Sequence, residues 1–265
     1  MEACFRSGAG FIVASVVLTT LACGPSGAPT TDNASPGATR GAAVRAPSSA
    51  STVAPPAATR STDSDARAGN RGRPRIVVVG DSLTAGLGLS IDEAYPALLQ
   101  QRVNAVGLHY EVINAGISGD TSAGGLARLD WALDGDVRIL ILALGGNDAL
   151  RGLPPEQLKT NLATMIERAQ ARGIAVVLAG MEAPPNWGAV YTKEFHDVFP
   201  SLASKYRVSL VPFLLAGVAG IERLNQRDGI HPTAEGDRIV ADTVWRVLEP
   251  VVVKQASPKE GASGP

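Results

Sequence analysis

Ser82, Asp228 and His231 are the residues of this chain whose types and settings suit nucleophilic chemistry. Ser82 follows the apolar run Ile76-Val77-Val78-Val79 and then Gly80-Asp81, so its hydroxyl stands just past the end of a short β-branched segment. In Asp228-Gly229-Ile230-His231-Pro232 a carboxylate precedes an imidazole on a tight turn. It can reach Nδ1–H, fix the tautomer and leave Nε2 free as a base, and Pro232 then starts a helix. The chain has 3 histidines. His109 precedes a strand edge and His196 falls within a helical pattern, which leaves His231 as the base. Two loops add donors. Residues 114–122 are rich in glycine and hydroxyls, and Gly116 would let a substrate oxygen approach the main-chain N–H. Gly145-Gly146-Asn147-Asp148 offers the neutral side-chain amide of Asn147, which suits a developing oxyanion. Taken singly, each of these stretches is also ordinary turn or helix-capping sequence.

For the four stretches to act together, one sheet edge must bring them together. Strand-like runs are expected at 75–80, 110–114, 137–144, 174–179 and 209–212, each without a polar interruption at its centre. Helical patterns lie between and after them, at 95–106, 126–133, 155–172, 191–206 and 233–248. The 155–172 pattern puts Leu158, Leu162, Met165, Ile166 and Ala169 on one face. Alternation of this kind implies an α/β protein with a central parallel sheet of about five strands and helices on both sides, a three-layer α/β/α sandwich. All four stretches then follow strands at one edge, where ligands bind in open α/β sheets.

The remaining sequence frames this domain, which is expected over residues 74–253. Residues 8–22 are mostly apolar yet shorter than the roughly 20 residues of a membrane-spanning helix, so residues 1–23 read as a secretory signal. Thr20-Leu21-Ala22-Cys23 resembles a bacterial lipoprotein processing site, with Cys23 as the lipidated residue. Residues 24–73 contain no Leu, Ile, Met, Phe, Tyr or Trp and read as a disordered tether, and 254–265 return to that composition. The chain has 2 cysteines, Cys4 and Cys23, so the domain holds no disulfide or cysteine-ligated zinc. A formal net charge of -1 without a basic patch excludes nucleic acid as an expected partner. The expected protein is an exported monomer, periplasmic or at the cell surface, held to a membrane through its N-terminal lipid.

Gly80-Asp81-Ser82-Leu83, Asn114-Ala115-Gly116, Gly145-Gly146-Asn147-Asp148 and Asp228-Gly229-Ile230-His231-Pro232 resemble the four sequence blocks of the SGNH (GDSL) hydrolases. Residues 117–122, Leu126-Ala127-Arg128-Leu129 and Leu150-Arg151-Gly152-Leu153 are similar to the bacterial arylesterase and thioesterase/lysophospholipase subgroup. The resemblance implies a serine esterase in which Ser82 attacks, His231 moves the proton and Asp228 orients the imidazole. It implies an oxyanion hole of the Ser82 and Gly116 N–H groups and the Asn147 amide, and neither cofactor nor metal. In this subgroup the loop equivalent to residues 149–154 moves over bound acyl chains, so Asp81, Asp148, Leu150, Leu153 and Trp187 are expected at the substrate, with packing an alternative role for Trp187. Short or medium acyl or aryl esters are the first expectation and lysophospholipids the second. Three alternatives stay open: an O-acetyl carbohydrate esterase, a metallophosphoesterase using Asp81, Asp148, Asp228 and His231 as ligands, and a tethered binding module. The chain has no Gly-x-Ser-x-Gly elbow, which excludes the usual α/β-hydrolase nucleophile turn.

Overall fold

Ile76, Val77, Val78 and Val79 are almost wholly removed from solvent, as a strand covered on both faces must be. They form β1 (Arg75–Gly80) in the computed structural model, which describes residues 72–256. The expected signal segment, Cys23 and nearly all of the 24–73 stretch lie outside the described residues. In chain order β1 is followed by α1 (Ser82–Ala85), α2 (Tyr95–Ala105), β2 (Glu111–Gly116), α3 (Ser122–Ala127), α4 (Leu129–Ala132) and β3 (Val137–Ala143). Then come α5 (Gly146–Leu150), α6 (Pro155–Ala171), β4 (Ala175–Ala179), α7 (Ala189–Tyr206), β5 (Ser209–Val211) and α8 (Ala234–Ala256).

All strand pairs are parallel and the order across the sheet is β2-β1-β3-β4-β5. Gly80 lies opposite Gly116 on one side and Ala143 on the other, so three strands end level with one another. The chain leaves β1 toward β2 and returns across it to β3. That reversal opens a crevice outside the carboxyl ends of β1 and β3. Ser82 and Asn147 are carried there by α1 and α5, two short helices absent from the expected pattern. The longer helices pack in two groups, α2 with α8 and α6 with α3 and α7, and cover the sheet as the expected α/β/α sandwich.

Two expected boundaries are corrected. The 126–133 pattern is two short helices broken at Arg128, and the first begins earlier because Thr121 caps it, its hydroxyl accepting from the Gly124 N–H. The last helix runs past the expected 248 to Ala256, through Pro250, so the tail does not begin at Lys254. Val252 is fully buried, and the apolar stripe that holds this helix to the core therefore continues beyond the proline.

Candidate active site

The turn after β1 is built by close approach. A Cβ on Gly80 would lie 1.9 Å from Thr84 Oγ1, so only glycine lets α1 fold back over the strand end. Asp81 then caps α1, its Oδ1 accepting from the Leu83 N–H at 3.0 Å. The N–H of Ser82, at the start of α1, makes no hydrogen bond among the described residues. Thr84 in turn shares a 2.8 Å hydrogen bond with the buried Tyr95 hydroxyl, which anchors α1 to α2.

His231 arrives from the other end of the chain. Its main-chain oxygen accepts from the Gln226 N–H at 2.7 Å, closing the loop before α8. Within that loop Asp228 Oδ1 accepts from the N–H groups of Ile230 (2.9 Å) and His231 (3.1 Å), while Oδ2 accepts from His231 Nδ1–H at 2.6 Å. With Nδ1 carrying the proton, Nε2 is the acceptor for the Ser82 hydroxyl, 2.8 Å away. The Ile230 N–H, the imidazole and the His231 N–H together hold the Asp228 carboxyl down at about 2. It therefore stays ionised across the neutral range, and its side chain, 45% exposed, pays little for the charge.

Asn147, in the first turn of α5, directs Nδ2 toward Asp81 Oδ2 at a long 3.4 Å. The N–H of Gly116, expected as an oxyanion donor, is engaged within the protein in this structure. It donates to Asn114 Oδ1 at 3.0 Å, and Asn114 Nδ2 donates to the Thr84 carbonyl at 2.8 Å. The missing Cβ of Gly116 makes room for the protein itself, since a Cβ there would stand 2.4 Å from the Ala85 nitrogen.

The expectation that Asp81 and Asp148 touch substrate is corrected as well, because both are 1% exposed. Asp148 accepts from Ser122 twice, from its N–H at 2.8 Å and its hydroxyl at 2.5 Å, which ties α5 to α3. Leu150 is half-exposed at the end of α5. Leu153 is partly buried, and its carbonyl accepts from the Tyr191 hydroxyl at 2.8 Å. Trp187 lies over Gly152 and against Tyr191, with ring centroids 5.8 Å apart. Ser82, Leu87, His231 and Asp237 line a space too small to admit a water molecule.

A family model described as "GDSL-like Lipase/Acylhydrolase family" matches residues 78–239. The chain belongs to this family. This GDSL-like hydrolase is 45% identical over 178 residues to Esterase TesA of Pseudomonas aeruginosa, covering 67% of this chain and 89% of that one. It is 39% identical over 182 residues to an arylesterase of Vibrio mimicus, covering 68% and 91%. A crystal structure of TesA superposes with a TM-score of 0.65 at 45% identity, covering 67% of this chain and 99% of that one. The GDSL-like hydrolase is accordingly a carboxylic ester hydrolase.

Several residues that organise this site carry no chemical signal in the sequence. Arg128, at the break between α3 and α4, donates from Nε to Asp120 Oδ2 (2.6 Å) and from Nη2 to the Gly80 carbonyl (3.0 Å). It thus joins the loop after β2 to the residue before Asp81-Ser82. Asn161 of α6 donates to the Ser122 hydroxyl at 2.9 Å and completes the support of Asp148. Gln226 Nε2 donates to the Leu87 carbonyl at 2.7 Å, linking the histidine loop to the serine turn. Asp81, Asp148, Asp228 and His231 do not form the ligand set of the alternative metal reading. Among the described residues no three His, Cys, Asp or Glu side chains are grouped to hold a metal ion.

Proposed function

We propose that the chain hydrolyses short or medium acyl and aryl esters through an acyl-enzyme on Ser82, with lysophospholipids as a second substrate class. The observation that carries this reading is the unbroken hydrogen-bonded line from Asp228 Oδ2 through His231 to Ser82 Oγ, at 2.6 and 2.8 Å. Ser82 Oγ attacks the ester carbonyl carbon while His231 Nε2 takes its proton, and the Asp228 carboxylate stabilises the imidazolium that results. The carbonyl oxygen, now an oxyanion, is met by the Ser82 N–H and the Asn147 amide. The Gly116 N–H joins them when it leaves Asn114 Oδ1. His231 then gives its proton to the departing alkoxide or thiolate oxygen or sulfur. A water, deprotonated by the same imidazole, attacks the acyl carbon, releases the acid and restores Ser82.

The aryl-ester part of this reading is supported by the name of one relative, an arylesterase. The test is initial rates on p-nitrophenyl esters from acetyl to palmitoyl, with Ser82→Ala in parallel. Rates that peak at short or middle chains and vanish in Ser82→Ala are expected; a Ser82→Ala protein that turns over normally refutes the mechanism.

The sequence also supports export and anchoring through a lipid on Cys23, with the hydrolase domain acting as a monomer outside the cytoplasm. Metabolic labelling with a radioactive fatty acid should mark the chain and fail to mark Cys23→Ser; equal labelling of both removes Cys23 as the anchor.

A further inference from the structure

Ser82 and His231 stand 149 positions apart, and the 2.8 Å between Oγ and Nε2 holds only while two separate segments keep one register. The histidine segment is tied within itself. The Thr233 N–H donates to the Leu224 carbonyl at 2.9 Å, Asn225 faces Pro232 in an antiparallel bridge, and the Gln226 N–H donates to the His231 carbonyl at 2.7 Å. Residues 224–233 thus make a small hairpin that carries Asp228 and His231, themselves joined through Oδ2 and Nδ1. The serine segment is also self-contained, since the N–H groups of Gly86 and Leu87 both donate to the Ser82 carbonyl at 3.1 Å. Neither set of internal bonds fixes the distance between the two segments.

Among the described residues two hydrogen bonds join the hairpin to residues 81–93. One is the Ser82–His231 contact itself. The other runs from Gln226 Nε2 to the Leu87 carbonyl at 2.7 Å, and the same Nε2 donates to the Pro232 carbonyl at 2.9 Å. Both partners are carbonyl oxygens, which only accept, so the amide has one orientation, with nitrogen toward them. Its Oε1 lies over Gly88, which has φ +81° and where an added Cβ would stand 2.3 Å from that oxygen. A side chain at position 88 would therefore push the amide off Leu87. A continuous line of bonds results, from the Ser82 carbonyl through Leu87 and Gln226 to the His231 carbonyl.

We propose that Gln226 is a positioning residue for acyl transfer, its side-chain amide setting the register of the histidine hairpin on the serine turn. The inference rests on the reading of Ser82 as nucleophile and His231 as base. Asp228 fixes which way the imidazole turns, and Gln226 fixes where it stands. A general base acts only within hydrogen-bond reach of the proton it takes, and a displacement of about 1 Å can cost about 10²-fold in rate. The Ser82–His231 contact cannot keep the register through turnover, because Ser82 Oγ has no proton to donate once it is esterified. The bond from Gln226 to Leu87 is untouched by the chemistry and persists through both half-reactions.

The test is single-turnover acylation by p-nitrophenyl acetate, read as p-nitrophenol release, in the wild type, Gln226→Met and Ser82→Ala. Methionine is similar in length to glutamine and donates no hydrogen bond. Gln226→Met should acylate slower by about tenfold or more, with the half-saturating ester concentration unchanged. The downfield proton NMR signal of the His231 Nδ1–H held by Asp228 should persist, because both residues belong to the hairpin. Acylation at the wild-type rate overturns the proposal. So does loss of the NMR signal, which would make Gln226 a residue that folds the hairpin and not one that places it. Absence of Ser82-dependent acylation in the wild type would strike the nucleophile reading, and the proposal with it.

Gly88 supplies an independent arm, because the three atoms nearest to an added Cβ there all belong to Gln226. Gly88→Ala in the wild type should displace the amide and slow acylation to a similar degree. In Gln226→Ala that space is empty, so adding Gly88→Ala should cost no further rate. The same further loss in both backgrounds would mean that strain in the turn at residue 88, and not the amide, carries the effect, and would overturn the proposal.

Discussion

Asp81→Asn should separate stability from catalysis at this site. Asp81 is 1% exposed, and burial raises its carboxyl from 3.8 to about 6 against the opposing pull of the Leu83 N–H and the Asn147 amide. A folded-state value above the unfolded one means that the folded protein holds the proton more tightly. Asp81 is therefore neutral in both states at low pH, and its ionisation reduces stability as pH rises from about 4 through about 6. Above that window the buried charge costs about 3 kcal/mol, at 1.36 kcal/mol per pH unit. Asparagine keeps an oxygen for the Leu83 N–H and carries no charge. The variant should be as stable as the wild type at about pH 8 or gain up to about 3 kcal/mol. Catalysis should move the other way. A carboxylate only accepts hydrogen bonds, so it holds Asn147 with Nδ2 toward it, even at 3.4 Å. With its oxygen committed to Leu83, Asn at 81 would turn an NH₂ group toward the NH₂ of Asn147. The Asn147 amide must then flip or swing away, and the donor facing the oxyanion goes with it. A loss of about 10²–10³ in kcat with little change in KM is expected on p-nitrophenyl acetate, alongside a urea midpoint that holds or rises. A variant with near-wild-type kcat would refute the argument that Asp81 sets the Asn147 amide. A lower urea midpoint would show that the charge on the cap outweighs its desolvation.

Asn147→Ala should cost about 10²–10³ in kcat, and a near-normal rate would remove it from the oxyanion hole. Arg128→Met should destabilise by roughly 2–4 kcal/mol in urea unfolding, because Asp120 and the Gly80 carbonyl lose a guanidinium that is itself only 14% exposed. Arg128→Lys should recover part of this, since one ammonium cannot span both partners, and full recovery would show that charge alone matters. Burial also raises the Asp237 carboxyl, to about 7, so stability should fall as pH climbs from about 4 through about 7; Asp237→Asn, which can still accept from the Tyr95 N–H, should flatten that slope in urea titrations across the range. Glycine at Leu150 should shift the acyl-chain profile on p-nitrophenyl esters, and an unchanged profile would place Leu150 outside the substrate path.

The strands and the catalytic line were legible because each depends on local pattern. A β-branched run such as 76–79 can be read from side chains alone, and Asp228 reaches His231 within one turn. Alternation likewise implies a parallel sheet with helices on both faces, while the order β2-β1-β3-β4-β5 comes from the structure alone. Sequence reading failed where a residue's partner is remote. Gly116 looks like an opening for substrate until Ala85 is seen to fill the space a Cβ would need. Asp81 and Asp148 stand beside chemical residues in their motifs, yet their oxygens face Leu83, Asn147 and Ser122 inside the protein. Arg128 interrupts a helical pattern for a carbonyl 48 positions away, and no periodicity records that. The helix beyond 248 was missed because Pro250 is a local stop signal, which the burial of Val252 overrides.

The three aspartates nearest the reaction show why motif neighbours take different roles. Asp81 is enclosed, and desolvation outweighs its hydrogen bonds, so its carboxyl rises to about 6. Asp237 is enclosed with one N–H partner, from Tyr95, and rises further, to about 7. Asp228 is partly in water, pays little for its charge and gains two main-chain N–H groups and an imidazole, so it falls to about 2. An acid that must remain an anion beside His231 while a proton passes is served by the last arrangement and not by the first two. Had the orienting acid been buried like Asp237, it would itself titrate within the working range and release His231 as it did so. The exposure of Asp228 is thus compatible with its role, because hydrogen bonds and not burial hold the charge in place. Moving the Ile230 and His231 N–H groups off Asp228 would raise its carboxyl toward the ordinary range. An Ile230→Pro variant removes one of those donors. Its kcat should fall at neutral pH, because the loop then holds Asp228 less firmly against His231 Nδ1, and an unchanged kcat would mean that the imidazole and the His231 N–H suffice to keep Asp228 in place.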